Sequence, residues 1–498
     1  MMKVKLLVLS ILFLALSQSI QATHIAASDI YYEYVAPNQY RVHLILYRDC
    51  KPGNAGLAGT VTLRAESVSC NQNFTFQADT TGNNTRKIYG DLCPNIVNWC
   101  QNAASQFPAY EEWHYDGIVN LPMACTDWQF KYNNNCCRNV AIGNLQNPGS
   151  AGICVFARLN NVARPINNSA FLSVKPIPYV CVNQPKTYLN GPVDPDLDSL
   201  VFVPAQPLNW TTCLPINWTG GAITANPFGP AAPGGYMVDP NTGTATFTPI
   251  ATGTYAMAFQ CYEVDPITGD TVGSVMRDVQ LNVLNCAGAP PSDPNGTQNY
   301  NILNLVGANL VTPIPISMEI CAGATMSFDV QAISNANTNT VLASSNNAIS
   351  CPGSNFSFTP VGGGNPVTAS FSWTPNISQV GNHTLVITFI DSSCTVAQPI
   401  VLKSYCVILI KVLPGIDAGP DLYYCPDGDS VQFNISAPAG ISLWQWTDIN
   451  GNTSNIGITD LNIQNPKAAP SVTTTYIVKA LNPPPGIICK TQDTIMVI

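Results

Sequence analysis

Charged side chains are scarce in this chain of 498 residues. Asp, Glu, Lys and Arg make up 10% of it, whereas an average globular domain has about 25%. The formal net charge is −9, and this balance does not supply the basic face that nucleic-acid binding requires. Hydrophobic residues still form 46% of the chain. The composition therefore predicts folded domains with weakly charged surfaces and no nucleic-acid partner.

Motifs that carry chemistry are also scarce. The chain has four histidines and no Cys-x-x-Cys pair, so neither a zinc ribbon nor a dithiol redox site is expected. No Ser-His-Asp order, His-Glu-x-x-His motif or phosphate-binding loop occurs. Glu111, Glu112 and His114 are the nearest approach to an acid–base cluster. Because neighbouring strand residues point to opposite faces, Glu112 and His114 share a face but the two carboxylates make a poor glycosidase pair. We predict no catalytic activity.

Long apolar runs are absent except at the amino terminus. Lys3 and Lys5 precede an apolar stretch, residues 6–16, that is too short to span a bilayer comfortably, and residues 17–22 form a candidate cleavage region. We interpret residues 1–22 as a secretory signal peptide, with a retained anchor as the alternative. The mature chain is expected to have no membrane span and to be exported.

Cysteine, by contrast, is plentiful. Eighteen cysteines in an exported chain predict disulfides. Other cues divide the mature chain into four segments, which hold eight, four, four and two cysteines; these are residues 23–178 (first segment), 179–286 (second), 287–413 (third) and 414–498 (fourth). An even number in each segment is what self-contained disulfide domains require.

One local unit occurs twice. Residues 244–265 and 370–391 each have an alternating stretch, an aromatic-Thr-Pro, a Gly after a short gap, and a second alternating stretch that ends in Asp. We interpret the unit as strand, Pro-stopped turn and strand, which is the hairpin of a β-sandwich. A unit that recurs in one chain indicates an array of modules. The predicted fold class is therefore all-β, with tandem Ig-like and PKD-like sandwiches after a disulfide-rich amino-terminal β domain.

The start of the mature chain resembles a known family. Residues 30–34 and 40–47 alternate on either side of a turn, which predicts an antiparallel hairpin. The hairpin and its flanks resemble the amino-terminal region of large gliding-motility-associated cell-surface proteins, which are exported by type IX secretion. The matching residues are His24, Ile25, Asp29, Ile30, Tyr32, Tyr40, Arg41, Val42, Tyr47, Arg48, Asp49 and Cys50.

The later segments resemble modules of the same surface proteins. The second and third resemble cadherin-like or Ig-like sandwiches, through the acidic stretch Asp194–Leu200 of the second and the aromatic-Thr-Pro unit of both. The fourth resembles PKD-like domains, and Trp444 or Trp446 would be its core tryptophan. Its two cysteines, Cys425 and Cys489, are predicted to form a disulfide. The family usually continues with more modules and a sorting domain, so we expect the amino-terminal part or a short member of such a protein.

The acidic stretch is a candidate metal site. Asp194, Asp196 and Asp198 place carboxylates at alternate positions of a loop, and hard cations such as Ca²⁺ bind several oxygen atoms. Asp265, with Glu263 and Asp270, would lie near in the same module. We therefore predict a Ca²⁺ site formed by Asp194, Asp196, Asp198 and Asp265. The alternative is an acidic turn in which Asp side chains bond the local backbone.

Aromatic side chains offer a second candidate site. Tyr31, Tyr32, Tyr34 and Trp113 could form a sugar-binding platform if they were exposed, although such residues are more often core or cross-strand pairs.

The expected function is mechanical. The sequence favours a secreted adhesin or structural protein on the exterior of a bacterial outer membrane, with an unidentified glycan or protein ligand and the type IX secretion machinery as partners. Specificity would lie in the first segment, which is not repeated. The alternatives are a polysaccharide-binding accessory region of a larger enzyme, and a subunit of a surface filament or sheath assembled by strand addition.

Overall fold

A computed structural model describes the chain from residue 25 to residue 498. Short segments within this range are not described: 53, 55, 82–85, 94–95, 103, 106, 136, 177–178, 230–234, 266–267, 336–338, 392, 395–399, 424–429, 438–440, 482–488 and 490. The predicted signal peptide, residues 1–22, lies outside the described residues, as does Cys425. No helix among the described residues is long and apolar enough to cross a membrane.

The described elements are almost all strands, which confirms the all-β class. The first segment contains β1 Ile25–Ala36, β2 Gln39–Asp49, β3 Thr60–Ser67, β4 Gln72–Thr80, β5 Lys87–Tyr89, β6 Tyr110–Asn120, β7 Trp128–Asn135, β8 Ile153–Leu159 and β9 Phe171–Leu172. The second contains β10 Tyr179–Cys181, β11 Lys186–Tyr188, β12 Pro192–Val193, β13 Ser199–Ala205, β14 Tyr236–Val238, β15 Ala245–Phe247, β16 Gly253–Val264 and β17 Thr271–Leu284.

The third and fourth segments also consist mainly of strands. The third contains β18 Leu303–Val306, β19 Asn309–Pro313, β20 Ile316–Cys321, β21 Met326–Ala332, β22 Val341–Ser345, β23 Asn355–Thr359, β24 Val367–Trp373, β25 Gly381–Asp391 and β26 Leu402–Leu413. The fourth contains β27 Val431–Gln432, β28 Trp444–Asp448, β29 Lys467–Ala468, β30 Thr474–Ala480 and β31 Gln492–Val497. The described helices are single turns: α1 Asn347–Ser350 and the 3₁₀ turns Pro148–Ser150 and Ile377–Gln379.

The first and second segments share one sheet. Strands β1, β2, β6, β4, β3, β7 and β8 pair in that order, and β17 of the second segment pairs with both β8 and β1. These seven of the nine strands of the first segment thus curl into a ring that a strand of the second segment closes. Their inward side chains form one apolar core that includes Trp128, Phe130 and Tyr132. The predicted hairpin at the start of this segment is β1–β2 and is confirmed.

Buried charges fasten β17 into this ring. Arg277 forms a bidentate ion pair with Asp29 of β1, with nitrogen–oxygen distances of 2.6 and 2.7 Å. The next residue, Asp278, accepts two hydrogen bonds from Arg138, at 2.8 and 2.6 Å. All four side chains are buried. Because adjacent strand residues face opposite sides, β17 is held to the first segment through both of its faces.

The third segment is a two-layered sandwich. One sheet has the order β18-β21-β24-β23 and the other the order β19-β20-β26-β25-β22. The inward residues of both sheets alternate with outward ones, and they pack around Trp373, Phe371 and Phe389. In the fourth segment, Trp444 and Trp446 are both buried, and Trp446 stacks on Phe433 at 4.6 Å between ring centroids. The prediction of a core tryptophan is therefore confirmed.

The recurring unit is not a hairpin. Its first strand in the second segment, β15, pairs with β11 and β14, whereas its second strand, β16, pairs with β13 and β17 in the large sheet. In the third segment, β24 and β25 likewise belong to opposite sheets. The aromatic-Thr-Pro therefore ends a strand on one layer, and the chain crosses to the other layer before it continues. Alternation identifies strands but not their partners, because both layers of a sandwich show the same period.

The disulfides cross the predicted segment boundaries, so the prediction of self-contained disulfide domains is wrong. Three described bonds join different segments: Cys154–Cys213, Cys93–Cys394 and Cys321–Cys489. The predicted Cys425–Cys489 disulfide is also wrong, because Cys489 is bonded to Cys321 of the third segment. Parity constrains only the number of cysteines, whereas pairing requires two Cα atoms about 4.4–6.8 Å apart. Packing of different segments against one another supplies that proximity.

Candidate cation-binding centre

The acidic loop 194–198 connects β12 to β13 at the seam between the first and second segments. The Asp194 Oδ1 accepts hydrogen bonds from the backbone N–H groups of Asp196, at 2.9 Å, and Asp198, at 3.1 Å. Leu197 has a positive φ of 62°, which these two bonds help to hold. One oxygen of Asp194 thus supports the turn, as the alternative interpretation of this stretch requires.

The Asp196 carboxylate fastens the loop to the first segment. It accepts hydrogen bonds from the backbone N–H of Asn168, at 2.6 Å, and from the Asn168 side chain, at 2.8 Å. Both of its oxygens are engaged in this way.

Arg164 of the first segment lies between two other carboxylates of the second. Its Nη1 contacts both oxygens of Asp198, and its Nη2 lies 3.4 Å from Asp265 Oδ2. The other oxygen of Asp265, Oδ1, accepts a hydrogen bond from the backbone N–H of Thr268 at 3.0 Å. Asp265 therefore lies at the edge of the acidic region, beside a fixed cation.

Glu263 lies at the centre of the acidic region. It is fully buried on β16, where Asn167 donates to Oε2 at 3.0 Å and the backbone N–H of Ala170 donates to Oε1 at 2.9 Å. One oxygen each of Asp194, Asp198 and Glu263 lie within 4.8 Å of one another, and all three residues are buried. We name these three residues the carboxylate cluster.

The electrostatics of the carboxylate cluster are unfavourable. Burial raises the pKa of Asp194 to about 7, and the Asp198 carboxylate adds to the shift. Burial and the nearby Asp194 raise the pKa of Glu263 well above its ordinary value. Burial also raises the pKa of Asp198, and the ion pair with Arg164 only partly offsets this. The described surroundings thus compensate the negative charge incompletely.

The structure brings two of the four predicted metal ligands together and places the other two elsewhere. Asp194 and Asp198 come together, whereas Asp196 bonds Asn168 and Asp265 lies beside Arg164. Glu263 completes the cluster, although the sequence placed it only in the neighbourhood. A sequence signal for it exists, because Phe259, Cys261 and Glu263 alternate on the buried face of β16. A lone carboxylate on such a face requires a partner.

The other candidate residues have structural roles. His114 Nε2 lies 2.9 Å from Glu112 Oε1, on the shared face that the sequence predicts, and Lys175 pairs with the same carboxylate. The exposed aromatic platform is wrong for two of its members, because Tyr32 and Trp113 are buried. Tyr31 stacks on His43 at 4.5 Å between ring centroids. The inward alternation of β1 and β6 places these rings in the core or in cross-strand pairs.

No family model and no curated protein matches the chain. Among solved structures, the eight amino-terminal Ig domains of Down Syndrome Cell Adhesion Molecule isoform 1.30.30 match 96% of this chain and 59% of that chain, at 10% identity and a TM-score of 0.21. Mouse nectin-like molecule 4 matches over 64% and 94%, at 8% identity and 0.21. Domains 4–9 of the surface layer protein SbsC match over 74% and 47%, at 14% identity and 0.14. Scores this low carry no argument about fold or function.

Proposed function

We propose that the chain is a secreted scaffold or adhesin on a cell surface. The observation that carries the proposal is the set of disulfides that join different segments, Cys154–Cys213, Cys93–Cys394 and Cys321–Cys489. Such bonds form and persist in oxidising, extracellular compartments. They also prevent the modules from separating under tension, which suits a protein that transmits force. No catalytic reaction is part of the proposal.

The specific version is attachment during gliding on the exterior of a bacterial outer membrane, after export by type IX secretion. The resemblance of the β1–β2 hairpin to gliding-motility-associated surface proteins supports it. In this version the ligand is an extracellular glycan or protein, bound by the first segment.

The first test is disulfide mapping of the protein isolated from intact cells of its natural host, combined with protease treatment of those cells. The expected result is cleavage from outside and recovery of the peptide pair that contains Cys93 and Cys394. Free thiols at these positions, or protection from added protease, would contradict a surface role.

A force measurement tests the mechanical role directly. Because Cys93–Cys394 spans 301 residues, reduction should lengthen the fully extended chain by on the order of 1,000 Å, at roughly 3.4 Å per residue. Single-molecule stretching of the full chain with and without reductant measures this. Equal extension in both states would show that the bonds do not restrain the modules.

The ligand-binding test uses the intact chain. Because β17 completes the ring of the first segment, a truncation between the first and second segments would expose sheet edges. Val68, 81% exposed, lies in the turn between β3 and β4. We expect Val68→Ser to weaken binding on a glycan and surface array. Val472→Ser, at a 72% exposed position of the fourth segment, is the matched control. Equal effects would place recognition outside the first segment.

A second candidate function, assembly into a filament or sheath, is favoured by β19. This strand ends its sheet, and all five of its residues are exposed. Residues 303–316 around it contain no charged side chain, although natural edge strands are usually protected by charge. Concentration-dependent sedimentation of the wild type, abolished by Val311→Lys but not by Val361→Lys in a loop of the same sandwich, would support it. A monomer at all concentrations would exclude it.

A further inference from the structure

The carboxylate cluster has more negative charge than its described neighbours neutralise. Asp194, Asp198 and Glu263 are buried within 4.8 Å of one another, and Asp196 and Asp265 lie beside them. Arg164 is the one cationic side chain that the described contacts place here, and it pairs with Asp198 and Asp265. Isolated ionised carboxylates are very costly in a protein interior, so a buried group of this kind requires further compensation.

Two residues of this region each have a buried oxygen atom with no partner among the described residues. Asp194 Oδ2 and Asn167 Oδ1 belong to side chains that are 6% and 0% exposed. The Asn167 amide lies against the cluster, because its Nδ2 donates to Glu263 Oε2 at 3.0 Å and to the Tyr32 hydroxyl at 2.9 Å. Most buried oxygens in folded proteins have a hydrogen-bond partner or bind a water molecule or an ion.

We propose that Asp194, Asp198, Glu263 and the Asn167 amide oxygen bind one Ca²⁺ ion. Three carboxylates and an amide form an all-oxygen set of the kind that Ca²⁺ accepts, with waters completing its six to eight ligands. Mg²⁺ is less suited, since it usually keeps several waters and binds through one or two carboxylates. The ion joins the first segment, through Asn167, to the second, through the other three. The ion therefore stabilises the contact between the first and second segments, which β17 also stabilises.

The cluster lies beside a cleft from which the proposed ion would enter. A cleft of about 310 Å³ separates the acidic loop from the third segment and is lined by Asp194 and Asp198 on one side and by Asn382 and His383 on the other.

Arg164 competes with the ion, because it contacts both oxygens of Asp198. Removing a neighbouring charge shifts an ionic equilibrium by about 10- to 1,000-fold. Arg164→Gln is therefore expected to tighten Ca²⁺ binding by about tenfold or more, whereas Glu263→Gln should weaken it at least as much.

The test is calorimetric titration of the chelator-treated full chain with Ca²⁺ at neutral pH. Asp239→Asn is the matched control, because Asp239 forms a similar acidic turn in the same segment, where it accepts from the backbone of Asn241 at 3.0 Å and Thr242 at 2.8 Å. It should bind as the wild type does. The expected pattern is one site in the wild type, weaker in Glu263→Gln and tighter in Arg164→Gln.

Asp196→Asn distinguishes this ligand set from the alternating aspartates of the loop. Unchanged affinity supports the proposal, and loss of binding overturns the ligand set. Thermal unfolding in chelator shows whether Glu263→Gln still folds, because its amide can accept from only one of the two donors, Asn167 and Ala170. Asp194→Asn is the second variant, since it keeps the Oδ1 acceptor of the turn; it should weaken Ca²⁺ binding and melt no lower than the metal-free wild type. Absence of Ca²⁺ binding by the wild type at millimolar concentration overturns the proposal. The adhesin proposal would survive that result, since it rests on the disulfides.

Discussion

The two copies of the recurring unit have the same local structure but different surroundings. Residues 244–265 and 370–391 both end one strand at an aromatic-Thr-Pro and cross to the opposite layer. The strand that follows, β16 or β25, then pairs with a long neighbour, β17 or β26. In the third segment this neighbour stays within its own sandwich, whereas β17 enters the ring of the first segment. Local pattern therefore specifies the strands, and the neighbouring strand decides the partner.

Equivalent positions of β17 and β26 show the chemical basis of the difference. Arg277 and Asp278 pair in register with Phe259 and Ala258 of β16. Counted back from the closing Asp of each unit, Leu385 and Thr384 of β25 correspond to Phe259 and Ala258. Their partners in β26 are Ile408 and Leu409, which are apolar. A buried charge can be tolerated only where a partner of opposite charge is supplied. The first segment supplies such partners for β17, and nothing of the kind is needed for β26.

The largest expected effect comes from breaking one of these ion pairs. Asp278→Asn leaves Arg138 buried without its charge partner, and such changes cost about 3–5 kcal/mol. Urea unfolding followed by tryptophan fluorescence measures this loss. The control is Asp329→Asn in the third segment. The Asp329 carboxylate accepts hydrogen bonds from the neutral side chains of Asn304 and Ser370, so its replacement should cost about 1 kcal/mol. Similar losses in both variants would refute the distinction between the two segments.

The next effect concerns how the third segment is tied to the first. Replacing Cys93 and Cys394 by Ala removes a bond that closes 301 residues, and removal of a native disulfide costs about 2–5 kcal/mol. Removing Cys181–Cys286, which closes 105 residues within the second segment, should cost about 1 kcal/mol less, because loop-closure entropy grows with the logarithm of loop length. Denaturation under non-reducing conditions compares the two. A larger loss of stability on removing Cys181–Cys286 would show that the contact between the first and third segments does not depend on Cys93–Cys394.

A smaller effect is expected where β17 passes the carboxylate cluster. A Cβ at Gly273 would lie 2.1 Å from Glu263 Oε2 and 2.8 Å from the Tyr32 hydroxyl. Gly273→Ala must displace buried groups and should cost about 1–3 kcal/mol. At Gly59 the nearest atom to a new Cβ is 3.9 Å away, so Gly59→Ala should change stability by about 0.5 kcal/mol or less. Thermal melting tests the pair, and an unaffected Gly273→Ala would show that Glu263 is free to move.

The smallest effect concerns Asp391, the last residue of the second copy of the unit. Burial alone would raise the pKa of Asp391, but hydrogen bonds from Ser334 and Ser393 outweigh it and lower the pKa. A lowered pKa means that stability is present above the unfolded value of about 3.9 and is lost as the pH falls below it. Asp391→Asn should lack this acid-side loss. The urea midpoints of the wild type and of Asp391→Asn between pH 6 and pH 3 measure this loss. If the two midpoints fell in parallel with pH, the prediction would be disproved.

Some of this architecture can be predicted from the residues. Alternation identifies β1, β2 and the two strands of each recurring unit, because side chains in a strand alternate between two faces. The resemblance of the fourth segment to PKD-like domains predicts that Trp444 or Trp446 is a core residue. Within the candidate site, Asp194 and Asp198 are predictable, since both lie on one short loop. These features depend on neighbours within a few residues of each other.

The sequence by itself therefore determined the all-β class, the strands of the first hairpin and of the recurring unit, and the acidic loop of this protein. Only the tertiary structure decided that β17 closes the ring of the first segment, that Cys489 bonds Cys321, and that Glu263 joins the carboxylate cluster. The physical reason is that a strand edge, a thiol and a carboxylate each accept many partners of suitable chemistry. Which partner is used depends on distances between residues far apart in the chain, and packing within and between the segments sets those distances.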